Sequence, residues 1–135
     1  MEISGCSGSG KTFLSLKMAS LALIEHDVAV LYIDTTNYLN RDNVTLALKN
    51  FMASSDGPVS DKAKRSEKAK ELLGRLNVVQ IHDMDKLILL LAKLLSRLQN
   101  KQQNFPLKMI IIDSLSSLFW ETSSSASAKA HDRHQ

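Results

Sequence analysis

One cysteine, Cys6, stands in 135 residues, so no internal disulfide can form and a reducing compartment is the expected setting. Long apolar runs are missing too. The richest stretch, Lys86 to Leu98, is broken by Lys93 and Arg97, and it is shorter than the roughly 20 residues that a membrane-crossing helix requires. No leader pattern opens the chain, and a soluble, intracellular protein is expected. Charge of one sign is in small excess: 17 Lys and Arg against 14 Asp and Glu give +3, which tolerates a nucleic-acid neighbour without requiring one. Aromatic residues make up only 5%, and none falls in the lysine-rich stretch Asp61 to Arg75. Bases would find no stacking platform there. Lys62, Lys64, Arg65, Lys68, Lys70 and Arg75 alternate with Asp61, Glu67 and Glu71. That pattern favours a solvated helix with interleaved charges over a phosphate-contacting patch.

What is present suffices for one domain with a real core, since 44% of the residues are hydrophobic. The most informative stretch is Gly5-Cys6-Ser7-Gly8-Ser9-Gly10-Lys11-Thr12, which satisfies the phosphate-loop pattern G-x-x-x-x-G-K-[ST] at every fixed position. Triphosphate oxygens need several converging donors, and a glycine-rich turn supplies backbone N–H groups with no side chains in the way. Lys11 then offers a point charge to the β- and γ-phosphates, and the Thr12 hydroxyl a ligand to Mg²⁺. Glu2-Ile3-Ser4 is a candidate strand entering the loop. Lys11 to His26 is a helical pattern leaving it.

Beyond this helix, Val28 to Asp34 is a nearly continuous aliphatic run ending in a carboxylate, as expected of a parallel strand buried on both faces. Thr35, Thr36, Asn37 and Tyr38 follow its carboxyl end, where open α/β sheets bind their ligands, and are candidate site residues. Asn40 is a candidate N-cap for a helix over Arg41 to Met52, and Ala53 to Ser60 has the composition of a loop. Leu76 to Asp83 suggests a further strand, with His82 as a structural residue near its end. Met84 to Lys101 suggests a helix whose apolar stripe is wider than one sheet face requires, so that it faces either the core alone or the core and a partner. Leu107 to Ser114 sends four apolar residues into Asp113, the shape of a Walker B strand whose carboxylate meets Mg²⁺ through water. Strand and helix alternate throughout, which predicts right-handed crossovers and a mostly parallel sheet with helices on both faces. From Glu121 onward serine and alanine dominate. Residues 1–120 are therefore expected to form the core and 121–135 a disordered tail in which His131 and His134 make a poor metal pair.

The order of these motifs resembles the ATPase core of RecA-type recombinases: Glu2 to Thr12, then Leu31-Tyr32-Ile33-Asp34-Thr35, then Ile110-Ile111-Ile112-Asp113-Ser114. The nearest branch is the eukaryotic DNA-repair recombinase paralogues, the D-type first among them. The resemblance spans roughly Met1 to Leu118. It implies a three-layer P-loop NTPase fold with a mostly parallel central sheet, ATP and Mg²⁺ as cofactors, and nucleotide contacts from Gly5, Cys6, Ser7, Gly8, Ser9, Gly10, Lys11, Thr12 and Asp113. It further implies metal contacts from Thr12 and Asp113, other recombinase paralogues as partners, and a nuclear role in homologous recombination.

Two departures accompany the resemblance. Active recombinases carry a glutamate that aligns the attacking water where this sequence has Thr36, and a hydroxyl lacks a carboxylate's basicity, so binding with little turnover is expected. The family also carries a helical domain before the phosphate-loop strand and further strands after Asp113, including loops that contact single-stranded DNA. One of those strands lies between the phosphate-loop strand and the Asp113 strand. The sheet is accordingly expected to be incomplete and the chain marginally stable on its own, as a truncated form would be. A non-catalytic interaction fragment and a different P-loop enzyme, such as a small-molecule kinase, are the alternative functions.

Overall fold

A computed structural model describes residues 1–26, 28–55, 62–99 and 107–119. The elements alternate in chain order as α1 (Lys11–His26), β1 (Ala29–Asp34), α2 (Arg41–Ser55), α3 (Lys62–Arg75), β2 (Leu76–Gln80), α4 (Met84–Gln99) and β3 (Leu107–Asp113). Residues 115–119 add a short helical turn. The architecture is α/β, and its sheet has three parallel strands in the order β2-β1-β3. β1 is central because its run Ala-Val-Leu-Tyr-Ile-Asp can be buried on both faces, and every one of its residues is buried.

Two apolar clusters cover the two faces. Leu16, Ala19 and Leu23 of α1, Val44, Leu48 and Met52 of α2, and Ala69 and Leu72 of α3 pack with Val30 and Tyr32 on one side. On the other, Leu87 of α4 and Leu118 pack with Leu31, Ile33 and Ile81, joined by half-buried Leu90, Leu91 and Leu94. The sequence period explains the division, since alternate β1 residues point to opposite faces. The α4 stripe divides as well. Leu87 is buried, whereas Ile88, Leu89 and Leu95 keep more than half of their surface exposed.

Several boundaries differ from the sequence reading. Glu2-Ile3-Ser4 forms no strand; a three-residue segment becomes a strand only when a neighbour accepts its ladder, and β3 pairs with β1 alone among the described residues. β2 stops at Gln80, three residues short of the expected end, although the Ile81 N–H still donates to the Asp34 carbonyl at 2.9 Å. β3 is an edge strand among the described residues. No residue in it is fully buried, and Ile110 is exposed. α2 runs three residues beyond Met52, to Ser55, with no Gly or Pro in the sequence to stop it earlier; at its start Asn40 caps it as expected, its Oδ1 accepting from the Asn43 N–H at 2.7 Å. α3 shows the interleaved charges in one resolved pair, Glu71 with Arg75 at 3.3 Å, four residues apart. The expected 121–135 tail, with His131 and His134, lies outside the described residues.

Candidate phosphate and carboxylate site

The loop before α1 is held by its own lysine. Lys11 Nζ donates to the carbonyls of Gly5 and Cys6, both at 2.7 Å, and lies 3.5 Å from Ser9 Oγ. The Ser9 N–H donates to the Cys6 carbonyl at 3.3 Å, closing a turn. Gly8 and Gly10 adopt left-handed φ values of 79° and 85°, which a Cβ would strain. Such residues allow successive N–H groups to form an anion-binding concavity. The N–H groups of Ser7, Gly8, Gly10, Lys11, Thr12 and Phe13 have no protein acceptor among the described residues. The last three are unpaired because the first turn of any helix lacks upstream carbonyls. Unpaired donors, a cation and the positive end of a helix dipole therefore coincide in one loop.

The carboxyl ends of β1 and β3 form the second half of the site. Asp34 and Asp113 lie in register on adjacent strands, on the face covered by α1. Their surroundings assign them different tasks. Asp34 is buried, and its Oδ1 accepts from both the N–H and the hydroxyl of Thr36, at 2.9 Å each, while Oδ2 accepts from the Leu39 N–H at 2.9 Å. It is a clamp for the turn, which lets Asn37 take a left-handed φ of 61°. Asp113 is only half-buried. Its Oδ2 accepts from the Tyr32 hydroxyl at 2.8 Å, and its Oδ1 has no protein partner among the described residues. Burial, and then the neighbouring Asp113 carboxylate, push the Tyr32 phenol far above its usual range, so it stays a neutral donor.

The remaining candidates take supporting positions. The Thr35 hydroxyl accepts from the Ser114 N–H at 2.8 Å and donates to the Ser114 carbonyl at 2.7 Å, and Ser117 donates to that same carbonyl at 2.7 Å. This ties the end of β1 to the segment after β3, where the Asp113–Ser114 peptide is cis. His82 Nδ1 lies 3.3 Å from the Thr35 carbonyl, a structural contact at the end of β2 as expected. Tyr38 is largely exposed. Among the described residues, no hydrogen bond joins Lys11 or Thr12 to Asp113.

The chain matches no family model and no curated protein. The functional reading therefore rests on the geometry and the sequence motifs.

Among the described residues no three His, Cys, Asp or Glu side chains converge. An all-protein cage for a cation is thus absent there. The donors that remain suit magnesium nonetheless: Thr12 has an unpaired hydroxyl and Asp113 an unpaired carboxylate oxygen. Both are hard oxygen ligands, and magnesium commonly takes one or two protein oxygens, keeping waters and substrate phosphates for the rest. No described helix is long and apolar enough to cross a membrane.

Sequence reasoning missed Tyr32 and Ser15. Tyr32 appeared only as one member of an aliphatic strand, yet a phenol in a fully buried run requires a partner for its hydroxyl. That requirement was the available signal. Ser15 is one helical turn past Lys11. Its hydroxyl donates to the Lys11 carbonyl at 3.0 Å.

Proposed function

We propose that this chain is an ATP-binding subunit of the DNA-repair recombinase type, with a RecA-like P-loop core that holds MgATP and hydrolyses it slowly. The observation that carries the reading is the loop at the start of α1, where Lys11 and two left-handed glycines accompany six N–H groups with no acceptor among the described residues. In that reading the loop amides bind the phosphate oxygens and Lys11 exchanges its two carbonyl acceptors for the β- and γ-phosphates. Thr12 and Asp113 hold magnesium, Asp113 through water. The ion supplies neutralisation of phosphate charge when bound.

Slow turnover follows from Thr36. Its hydroxyl already donates to Asp34 and has no basicity to align or activate a water. The recombinase branch is supported by motif order, in which the loop, then Asp34-Thr35-Thr36, then Asp113-Ser114 follow in sequence. The open edge of β3, unpaired among the described residues, agrees with a sheet that lacks a strand beside it. A nuclear role, paralogue partners and single-stranded DNA enter through the resemblance alone. A second reading, a protein-interaction fragment, is favoured by the exposed Ile88, Leu89 and Leu95 on α4.

The test is titration calorimetry of MgATP into the unmodified chain, together with a phosphate-release assay. Binding is expected, with turnover at least about two orders of magnitude below the ~10 s⁻¹ typical of enzymes. Thr36→Glu is expected to raise the rate by roughly a hundredfold, the usual contribution of a positioned base. Absence of binding overturns the nucleotide reading. Brisk hydrolysis by the unmodified chain overturns the role given to Thr36.

A further inference from the structure

The Tyr32 hydroxyl is buried in the α1 face of the sheet and donates to one oxygen of Asp113, leaving the other without a protein partner among the described residues. Half-buried carboxylates rarely hold one orientation unaided, because rotation about the last side-chain bond is soft. Here a fixed donor on the adjacent strand determines which oxygen is free. Tyr32 is fully buried and belongs to the same apolar cluster as Leu16, Ala19 and Leu23 of α1 and Val44 and Leu48 of α2, so its ring has little room to move. The Tyr32 hydroxyl therefore connects the buried α1 face of the sheet to the carboxylate at the end of β3.

We propose that Tyr32 is the positioning residue for magnesium: by engaging Oδ2 of Asp113, it presents Oδ1 to the hydrated ion. The inference rests on the MgATP reading above. Donors behind a metal-facing carboxylate commonly change metal affinity by about 10- to 100-fold when removed. Tyr32 is not a phosphate contact, so its influence should be confined to the part of nucleotide affinity that magnesium adds.

The experiment measures ATP affinity by calorimetry with magnesium and with EDTA, for the full chain and for Tyr32→Phe, Asp113→Asn and the double variant. Tyr32→Phe is expected to leave the metal-free affinity unchanged and to reduce the magnesium gain roughly tenfold. In the double variant the Tyr32 effect should disappear, because the two residues act through one contact. A magnesium gain equal to that of the unmodified chain, or losses that simply add in the double variant, would overturn the role. If Tyr32→Phe does not fold, Tyr32→Met takes its place, since it also lacks the donor and its flexible side chain adapts to an apolar gap; the same loss of magnesium gain is expected, and an unchanged gain refutes the proposal. Should the unmodified chain bind no ATP in either condition, the nucleotide reading fails and this role goes with it. Binding that is normal yet indifferent to Tyr32 removes the role alone.

Discussion

Lys11→Ala is expected to weaken the proposed MgATP binding by roughly a hundredfold, about 2.7 kcal/mol, the lower part of what truncating one partner of a hydrogen-bonded charge pair costs. Two contributions have to be weighed. In the free chain Lys11 Nζ organises the loop through the Gly5 and Cys6 carbonyls, but those contacts are exposed. Exposed hydrogen bonds contribute about 1 kcal/mol or less each, so the melting temperature should move little. In the proposed complex the same ammonium would face multiply charged phosphates, and hydrogen bonds between ionised groups are roughly twice as strong as neutral ones. Binding should thus fall steeply while folding is nearly unaffected. Lys11→Arg should not restore affinity, because a planar guanidinium cannot replace a compact point charge among carbonyls 2.7 Å away. Calorimetry on both variants, with thermal melts as the folding control, decides the matter. If Lys11→Ala binds ATP as well as the unmodified chain, the loop is not the phosphate site, and the exposed face of α4 becomes the leading functional surface.

The sequence conveyed what short-range chemistry determines. The eight residues Gly5 to Thr12 specify a glycine turn followed by a helix, and the helix begins at Lys11 and ends at His26, the bounds expected for it. β1 was equally legible, since six residues that can be buried on both faces leave few alternatives to a central parallel strand. Pairing was not legible. Glu2-Ile3-Ser4 has no strand partner among the described residues, and the run Met109 to Ile112 carries no mark that β3 would lie at an edge. Long-range polar contacts were also beyond reach: Tyr32 and Asp113 are 81 residues apart, and only the β1–β3 register brings them together. The two aspartates illustrate the difference. Asp34 and Asp113 each end an aliphatic strand in the sequence, but only their hydrogen-bond partners distinguish a clamp from a half-occupied carboxylate.

That distinction makes Asp34, of the two aspartates, the one whose loss should damage the fold more. Asp34→Ala removes the acceptor for the Thr36 N–H, the Thr36 hydroxyl and the Leu39 N–H. Thr36 is exposed and can turn to water, whereas Leu39 is buried and its N–H cannot. An unsatisfied buried donor costs about 1–3 kcal/mol, and the lost bonds to a charged acceptor add to it, so a destabilisation of about 3 kcal/mol is expected. This is a large fraction of the roughly 5–15 kcal/mol that holds an ordinary domain together. Asparagine should be no remedy. With its oxygen toward Thr36, its NH₂ faces the Leu39 N–H, donor against donor; with the amide reversed, the NH₂ meets the Thr36 N–H instead. Asp34→Asn should therefore lower the urea midpoint nearly as far as Asp34→Ala, while Asp113→Asn, whose Oδ1 is free and whose neighbour is a single hydroxyl, should lower it much less. Equal urea midpoints for the Asp34 and Asp113 variants would mean that the two carboxylates share one structural task, and the division between clamp and ligand would have to be given up.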